Sequence, residues 1–543
     1  MSSANRGSSS GEVGGGAPSH GQPRSGRYAA LVAAGILLSR LAGLVRERIF
    51  SHYFGLSDAG DAWKAAFRIP NFLQNLFGEG VLSASFIPVY ARLLAEGDER
   101  EANRVAGAIF SLLALVVSLA VLIGVLTAPW LVGAIAPGFT GEKRELALRL
   151  VRVIFPGTGL LVLSAWCLGV LNSHRRFFLS YAAPLGWNAV MIAVLVGFGR
   201  TMGQYDLAVA TAWGSVIGSA AQFLVQLPVV LRLARGLDLG LRLGSEQVRT
   251  VLRNFGPAFV GRGVVQISAY IDSLLASFLS TGAVTALYNA QTIYLLPVSL
   301  FGMSISAAEL PLMSGTTGDS EEVQRALRER LLAGLRRIAY FVIPSAVAFL
   351  LLGDVVTSVV YQSGRFSAAD SRFVWVILGC ASIGLLATTS ARLYASTFYA
   401  LRDTRTPLRF AAVRVGIGAI LGYIAAFHLP RLLDVEARWG VAGLTTAASV
   451  VGWIEFLLLR RALTRRIGAP GLSVRELAPL WGAAVLAAVV ASLSKLAFHR
   501  LELPVLLSGL VVLGLFGAVY LGSTLALGVA EARAIAGRFA RRR

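Results

Sequence analysis

Charged and amide side chains interrupt several stretches of sequence that are otherwise apolar. Arg40, Arg46, Glu47 and Arg48 occupy the first; Asp61, Lys64, Arg68, Asn71, Asn75 and Glu79 the second; Arg262 and Asp272 a later one. A charge at the centre of a membrane helix costs about 2.5–3.5 kcal/mol on insertion scales, while each Leu, Ile, Val or Phe returns about 0.3–0.6 kcal/mol. One such charge cancels several leucines, so these groups point to recognition of a charged partner or to paired bracing of helices. Covalent chemistry has little to draw on. Histidines 20, 52, 174, 428 and 499 lie in tails or at the ends of apolar runs, without metal-ligand spacing. "GEG" at 78–80 and "GRG" at 261–263 follow no strand and lack the GK[ST] ending of a phosphate loop. Cys167 and Cys380 both fall inside apolar runs, where they read as small core hydrophobes.

The elements that must position these groups are membrane helices. The chain has 543 residues, 55% hydrophobic and 15% charged, with a mean hydropathy of +0.67, more apolar surface than soluble cores hide. The fold class expected is an all-α polytopic membrane protein of about 14 transmembrane helices, arranged as two six-helix lobes around a central cavity plus a C-terminal pair. Spans 28–54 and 59–93 open the first lobe; spans 250–280 and 284–313 open the second. The expected organisation is a disordered cytoplasmic tail over 1–26, an N-lobe over 27–233, a C-lobe over 234–463, and the last two helices with a basic tail over 464–543. The net charge of +21 comes from arginines gathered in alternate loops, the positive-inside pattern, which puts both termini in the cytoplasm. In each half the first two helices are the most interrupted by polar residues, Gly and Pro, as in transporters with a site between repeats. No strong residue-by-residue repeat is visible.

At about 100° per residue, Arg40 and Glu47 project within about 20° of each other, so an internal pair that braces helices is one reading of them. Asp61, Arg68, Asn75 and Glu79 fall within about 40° of one another, flanked by Lys64 and Asn71. That stripe runs roughly 27 Å, nearly the hydrocarbon thickness, and cannot face lipid. It suits a water-filled cavity or a set of satisfied contacts with another helix. Asp272 could be a cation ligand or a carboxylate bonded to a neighbouring helix.

The segment "PNFLQNLFGEGVLSASFIP", with "SRLAGLVRE" at 39–47, "APGF" at 136–139, "LNSHRRF" at 171–177, "YQSGRF" at 361–366 and "FYALRDTRTP" at 398–407, resembles the MurJ (MviN) lipid II flippases of the multidrug/oligosaccharidyl-lipid/polysaccharide exporter superfamily. The likeness covers most of residues 30–530. It implies a bacterial inner-membrane flippase rather than an enzyme, working by alternating access, with lipid II as cargo and a groove for the polyprenyl tail in the last two helices. The substrate cavity it implies includes Arg40, Arg46, Asp61 and Glu79; Arg68 and Arg262 join on their own placement, and Ser39, Glu47, Asn71 and Asn75 support them. Guanidinium forks bind phosphate oxygens bidentately without losing charge, which suits a pyrophosphate. No cofactor is implied beyond coupling to a sodium ion, with Asp272 as ligand, or to the membrane potential. The partners are lipid II, the bilayer and cell-wall synthesis enzymes, with no nucleic acid. The family's arginines are missing at Gln74 and Thr292.

Two other functions compete. An exporter of another polyprenyl-linked saccharide, or a multidrug or cation antiporter of the same superfamily, would share the fold, although a drug exporter calls for an acidic, aromatic cavity. A polyprenyl-dependent glycosyltransferase would need a sizeable outer loop, and every connection here is short.

Overall fold

The computed structural model describes residues 22–240, 244–314, 321–468, 471–499 and 504–540. The tail over 1–21 and the side chains of Glu79 and Arg262 lie outside the described residues. In hydrocarbon every backbone polar group needs a partner within its own segment, and the described chain answers with helices throughout. The N-lobe comprises α1 (Gln22–Phe54), α2 (Asp58–Phe77), α3 (Glu79–Ala95), α4 (Glu99–Leu126), α5 (Ala128–Ile135), α6 (Gly141–Ser173), α7 (Phe177–Ala182), α8 (Pro184–Phe198) and α9 (Gln204–Leu233). The C-lobe follows with α10 (Glu246–Ser277), α11 (Ala283–Pro297), a π-helical stretch (Val298–Met303), α12 (Ser304–Ser314), α13 (Glu321–Leu351), α14 (Gly353–Tyr361), α15 (Ala368–Ser382), α16 (Leu385–Ala400), α17 (Arg405–Phe427), α18 (Leu429–Leu432) and α19 (Gly440–Ile467). α20 (Val474–His499), α21 (Val505–Ala526) and α22 (Ala530–Ala540) close the chain.

Ten of the described helices are long and apolar enough to cross a membrane, or eleven if α15 and α16, which meet at 44°, count as one bent span. With α1, the α2–α3 pair and α10 they make fourteen membrane-length segments. The span expected as one helix over 59–93 is two, because the chain breaks at Gly78 (φ −88°, ψ −147°). α1 begins at Gln22, ahead of the tail boundary read from composition.

The two lobes do repeat residue by residue, at one constant separation in the chain. Gly55 and Gly282 both take positive φ, 57° and 83°, at the turn between the first two helices of their lobes, and Arg175 and Arg402 take 59° and 58° in matching helix connections. Pro70 and Pro297 lie at the same separation inside α2 and α11. So do Phe139 and Phe366, each buried after a short helix, α5 or α14. The pattern escapes sequence inspection because what repeats is backbone geometry at a few positions, while the side chains around them differ.

The largest buried cluster joins both lobes, from Phe50 and Trp63 to Leu287, Ile338 and Tyr394. α20 and α21 pack on α13 and α14 through small residues, Ala483, Ala484, Ala487, Ala488 and Ala491, and through Tyr520, whose hydroxyl donates to the Tyr340 carbonyl at 2.7 Å. Small side chains let helices approach closely where no hydrophobic drive separates protein from lipid.

Candidate functional site

The charges of α1 and α2 condense into one buried group. Glu47 accepts from Arg46 Nη2 at 2.6 Å on one oxygen and from Lys64 Nζ at 2.5 Å on the other, with 5% of its side chain exposed. Two cations sharing one carboxylate leave a net positive charge. Lys64 lies against the faces of Phe50 (4.4 Å) and Tyr288 (4.1 Å), the latter from the C-lobe helix α11. Arg46 stacks on Trp187 at 4.6 Å and donates to Asn188 Oδ1 at 3.1 Å. Aromatic faces and a shared carboxylate supply what charges taken out of water require. The internal Arg40–Glu47 pair that projection left as one reading does not form, because Glu47 is saturated by Arg46 and Lys64. Arg40, exposed, reaches across the lobes instead and donates to Ser299 Oγ at 3.0 Å in the π-helical stretch. Such bulges widen a helix and free a turn for contacts, and they recur at functional sites.

One end of the bundle is sealed by charges set on helix ends. Asp61, fully buried, accepts from Gly282 N (2.8 Å), Thr285 N (2.8 Å), Thr285 Oγ1 (2.8 Å) and Lys143 Nζ (2.7 Å). A carboxylate from the N-lobe thus caps the N-terminus of the C-lobe helix α11, where unpaired N–H groups and the helix dipole favour an anion. Arg48 makes the converse contact, donating to the Val359 and Gln362 carbonyls at the C-terminus of α14. Two seams run alongside: Arg365 N donates to His52 O at 2.8 Å, and Gly138 N donates to Ser277 Oγ at 3.2 Å. These two seams are related by the internal repeat. "APGF" and "YQSGRF" are therefore the loops by which each lobe docks on the first helix of the other. Asp61 is a member of this seal and lines no open space, so the stripe read from Asp61 to Glu79 as a single cavity lining does not hold: its start is sealed and its end lies beyond the break at Gly78.

Further along α2, Arg68 Nη2 donates to Gln291 Oε1 at 3.0 Å and the Tyr270 hydroxyl donates to the Arg68 carbonyl at 2.8 Å. Asn71 is exposed; Asn75 and Ser39 are half-buried. Asp272 lies in the fields of Arg68 and Arg414. Among the described residues no three His, Cys, Asp or Glu side chains gather as a metal site. Glu309 is buried and faces Arg337 at 3.1 Å and Arg330 at 3.9 Å. Arg414 in α17 pairs with Glu455 in α19 at 3.0 Å. Arg392 in α16 lies in the fields of Arg414, Tyr294 and Glu455. Lys143, Arg392, Arg414 and Glu455 were not singled out in the sequence. The last three did carry a signal, each a lone charge in an apolar run.

The sequence model described as Lipid II flippase MurJ matches residues 50–516. The chain belongs to the MurJ lipid II flippase family. A probable lipid II flippase MurJ from Rhizobium tropici is 32% identical over 516 residues, covering 92% of this chain and 91% of that protein. A lipid II flippase MurJ from Burkholderia cenocepacia is 31% identical over 440 residues, covering 79% and 82%. Among solved structures, a lipid II flippase MurJ in an inward closed conformation superposes with a TM-score of 0.73 at 22% identity, covering 92% of this chain and 98% of that one. An inward-facing multidrug resistance MATE transporter of the MOP superfamily gives 0.65 at 17%, covering 80% and 98%. These superpositions show that the chain has a fold shared with the wider superfamily. Of the two positions where the resemblance led to the expectation of arginine, Gln74 is half-buried, and Thr292 turns its hydroxyl back onto the Tyr288 carbonyl at 2.9 Å.

Proposed function

We propose that this protein flips lipid II, the polyprenyl-pyrophosphate-linked saccharide-peptide precursor of peptidoglycan, from the cytoplasmic to the outer leaflet of the inner membrane by alternating access. The observation that carries the reading is the arrangement of charge: Arg40 and Arg46 lie between the lobes, behind a seal of helix-end contacts that can be made or released as a unit. Arginine-rich loops put both termini in the cytoplasm, which turns the sealed end outward. Arg40 and Arg46 take the pyrophosphate, Glu47 and Lys64 hold Arg46 in place, and Asp61 closes the outer gate. Arg68 and Arg262 add positive charge to the path, and Glu79, with Asn71, Asn75 and Ser39, orients the basic groups. Coupling to the membrane potential is favoured over sodium at Asp272, because Arg68 and Arg414 already act on that carboxylate.

The test is depletion of the protein in its host with complementation, scored by lipid II accessible at the outer surface, together with flipping in proteoliposomes. Wild type should restore outer-leaflet lipid II and Arg40→Ala should not, while still inserting. Normal outer levels in depleted cells would refute the reading. Flipping of a polyprenyl-linked saccharide that lacks peptide, with lipid II refused, would favour another exporter of the superfamily.

A further inference from the structure

Arg392 is exposed, yet it sits inside the span Leu385–Ala400. It lies one helical turn from Thr388, which is buried and faces Tyr294 of α11, so its side of α16 looks into the bundle and away from lipid. An exposed guanidinium on an inward helix face requires open, polar space in front of it. Arg414 looks into the same region from α17, with 34% of its side chain exposed, and its carboxylate partner Glu455 is only 12% exposed. The two arginines act on each other as like charges, with Tyr294 and Glu455 also in range. Glu455 is engaged by Arg414 at 3.0 Å. Among the described residues no carboxylate comes within ion-pair distance of Arg392. Counting Asp272, which lies in the fields of Arg68 and Arg414, three guanidinium groups face two carboxylates, and the cluster is short of one anion.

We propose that Arg392 and Arg414 form a second anion subsite, on the C-lobe wall, for an oxyanion of the lipid-linked cargo. The inference rests on the flippase reading and adds a specificity element to it. The N-lobe presents Arg40 and Arg46, the C-lobe presents Arg392 and Arg414, and the absence of arginine at Gln74 and Thr292 is made good from helices α16 and α17. Lipid II offers two sources of oxyanion, its pyrophosphate and the carboxylates of its peptide, and both suit a guanidinium fork.

The experiment measures binding of lipid II to the full-length protein in nanodiscs, for wild type, Arg392→Gln, Arg392→Lys and the charge-balanced double variant Arg414→Gln/Glu455→Gln. Arg392→Gln breaks no ion pair among the described residues, which separates loss of binding from loss of fold. The expected result is about tenfold weaker binding for Arg392→Gln and for the double variant, with the loss largely restored by Arg392→Lys. Undecaprenyl pyrophosphate without saccharide or peptide identifies the oxyanion: an equal loss assigns the subsite to phosphate, and a loss confined to lipid II assigns it to carboxylate. Unchanged lipid II affinity in both neutral variants overturns the subsite and leaves the flippase reading standing. A wild-type protein that binds no lipid II removes both.

Discussion

Lys64 shows how much a single side chain can change the meaning of its neighbours. Projection placed it beside a stripe of polar residues; in the structure it neutralises half of Glu47 and leaves Arg46 to the other half, at 2.5 and 2.6 Å. Removing one partner of a buried pair strands the other, at a cost of about 3–5 kcal/mol, whereas removing both is far less damaging. Because Lys64 and Arg46 share the one carboxylate, Glu47→Gln should lower stability in detergent by about 3–5 kcal/mol, and adding Lys64→Met should recover much of it, since Arg46 keeps its bond to Asn188 and the face of Trp187. Equal losses in single and double variants, read from chemical or thermal unfolding, would show that the lysine acts through packing alone. Asp61 makes a different kind of contact, since its four donors come from both lobes. Asp61→Asn keeps the shape and loses the charge-assisted bonds, each worth about 1.5–3 kcal/mol. It should shift the protein toward a state in which this end is open, with a cysteine at the buried position Thr285 becoming reactive to an impermeant thiol reagent added outside. A site that stays protected would take Asp61 out of the seal.

At the scale of elements, four of the family motifs, at 136–139, 171–177, 361–366 and 398–407, fall at connections between helices. Gly138 docks so closely on α10 that a Cβ there would overlap the Ser277 carbonyl, while Gly133, in the preceding helix, has open space around it. Gly138→Ala should open or strain the seal and reduce transport, at a cost of about 1–3 kcal/mol. Gly133→Ala should be silent or stabilise by up to about 1 kcal/mol, and similar transport losses in the two would remove the docking argument. In the "LRDTRTP" connection, Asp403 accepts from Thr406 Oγ1 at 2.6 Å and from the Arg405 and Thr406 amides at 3.0 Å. The Thr406 hydroxyl above all, then its amide and Arg466, holds the carboxyl below its ordinary value of 3.8. A depressed carboxylate contributes stability that is present above the unfolded value and lost as pH falls through the folded one. Hydrogen exchange at the start of α17 should therefore stay slow down to about pH 4 and quicken below it, a step that Asp403→Asn abolishes. The helices themselves were legible in the sequence because apolar length alone sets them. The break at Gly78, the π-helical stretch at Val298–Met303 and the lobe-to-lobe repeat were not. The first two are local departures inside uninterrupted apolar patterns, and the repeat is carried by φ angles at Gly55, Gly282, Arg175 and Arg402. The site was half legible: Arg40 and Arg46 were found as costly charges, but which partner each takes depends on helices far apart in the chain, such as α8 for Asn188 and α11 for Tyr288.

For the whole molecule, the decisive property is that its two lobes meet at the sealed end through contacts that are strong when made and few in number. Asp61 caps α11, Arg48 caps α14, and two hydrogen-bonded seams flank them. An interface built from helix-end contacts has two discrete arrangements, made or broken, which is what a bistable transporter requires. If the lobes must part here to release cargo, tying them together must stop transport without touching the arginines. Because Arg365 N lies 2.8 Å from His52 O, His52→Cys and Arg365→Cys place two thiols on adjoining backbone. In a background with Cys167 and Cys380, both unpaired, replaced by alanine, oxidation should abolish lipid II flipping and a reductant should restore it. Lipid II binding from the cytoplasmic side should persist in the cross-linked protein, because the arginines stay where they are. Flipping that continues at the wild-type rate with the disulfide formed, as judged by mobility on a non-reducing gel, would mean that this end does not open during transport.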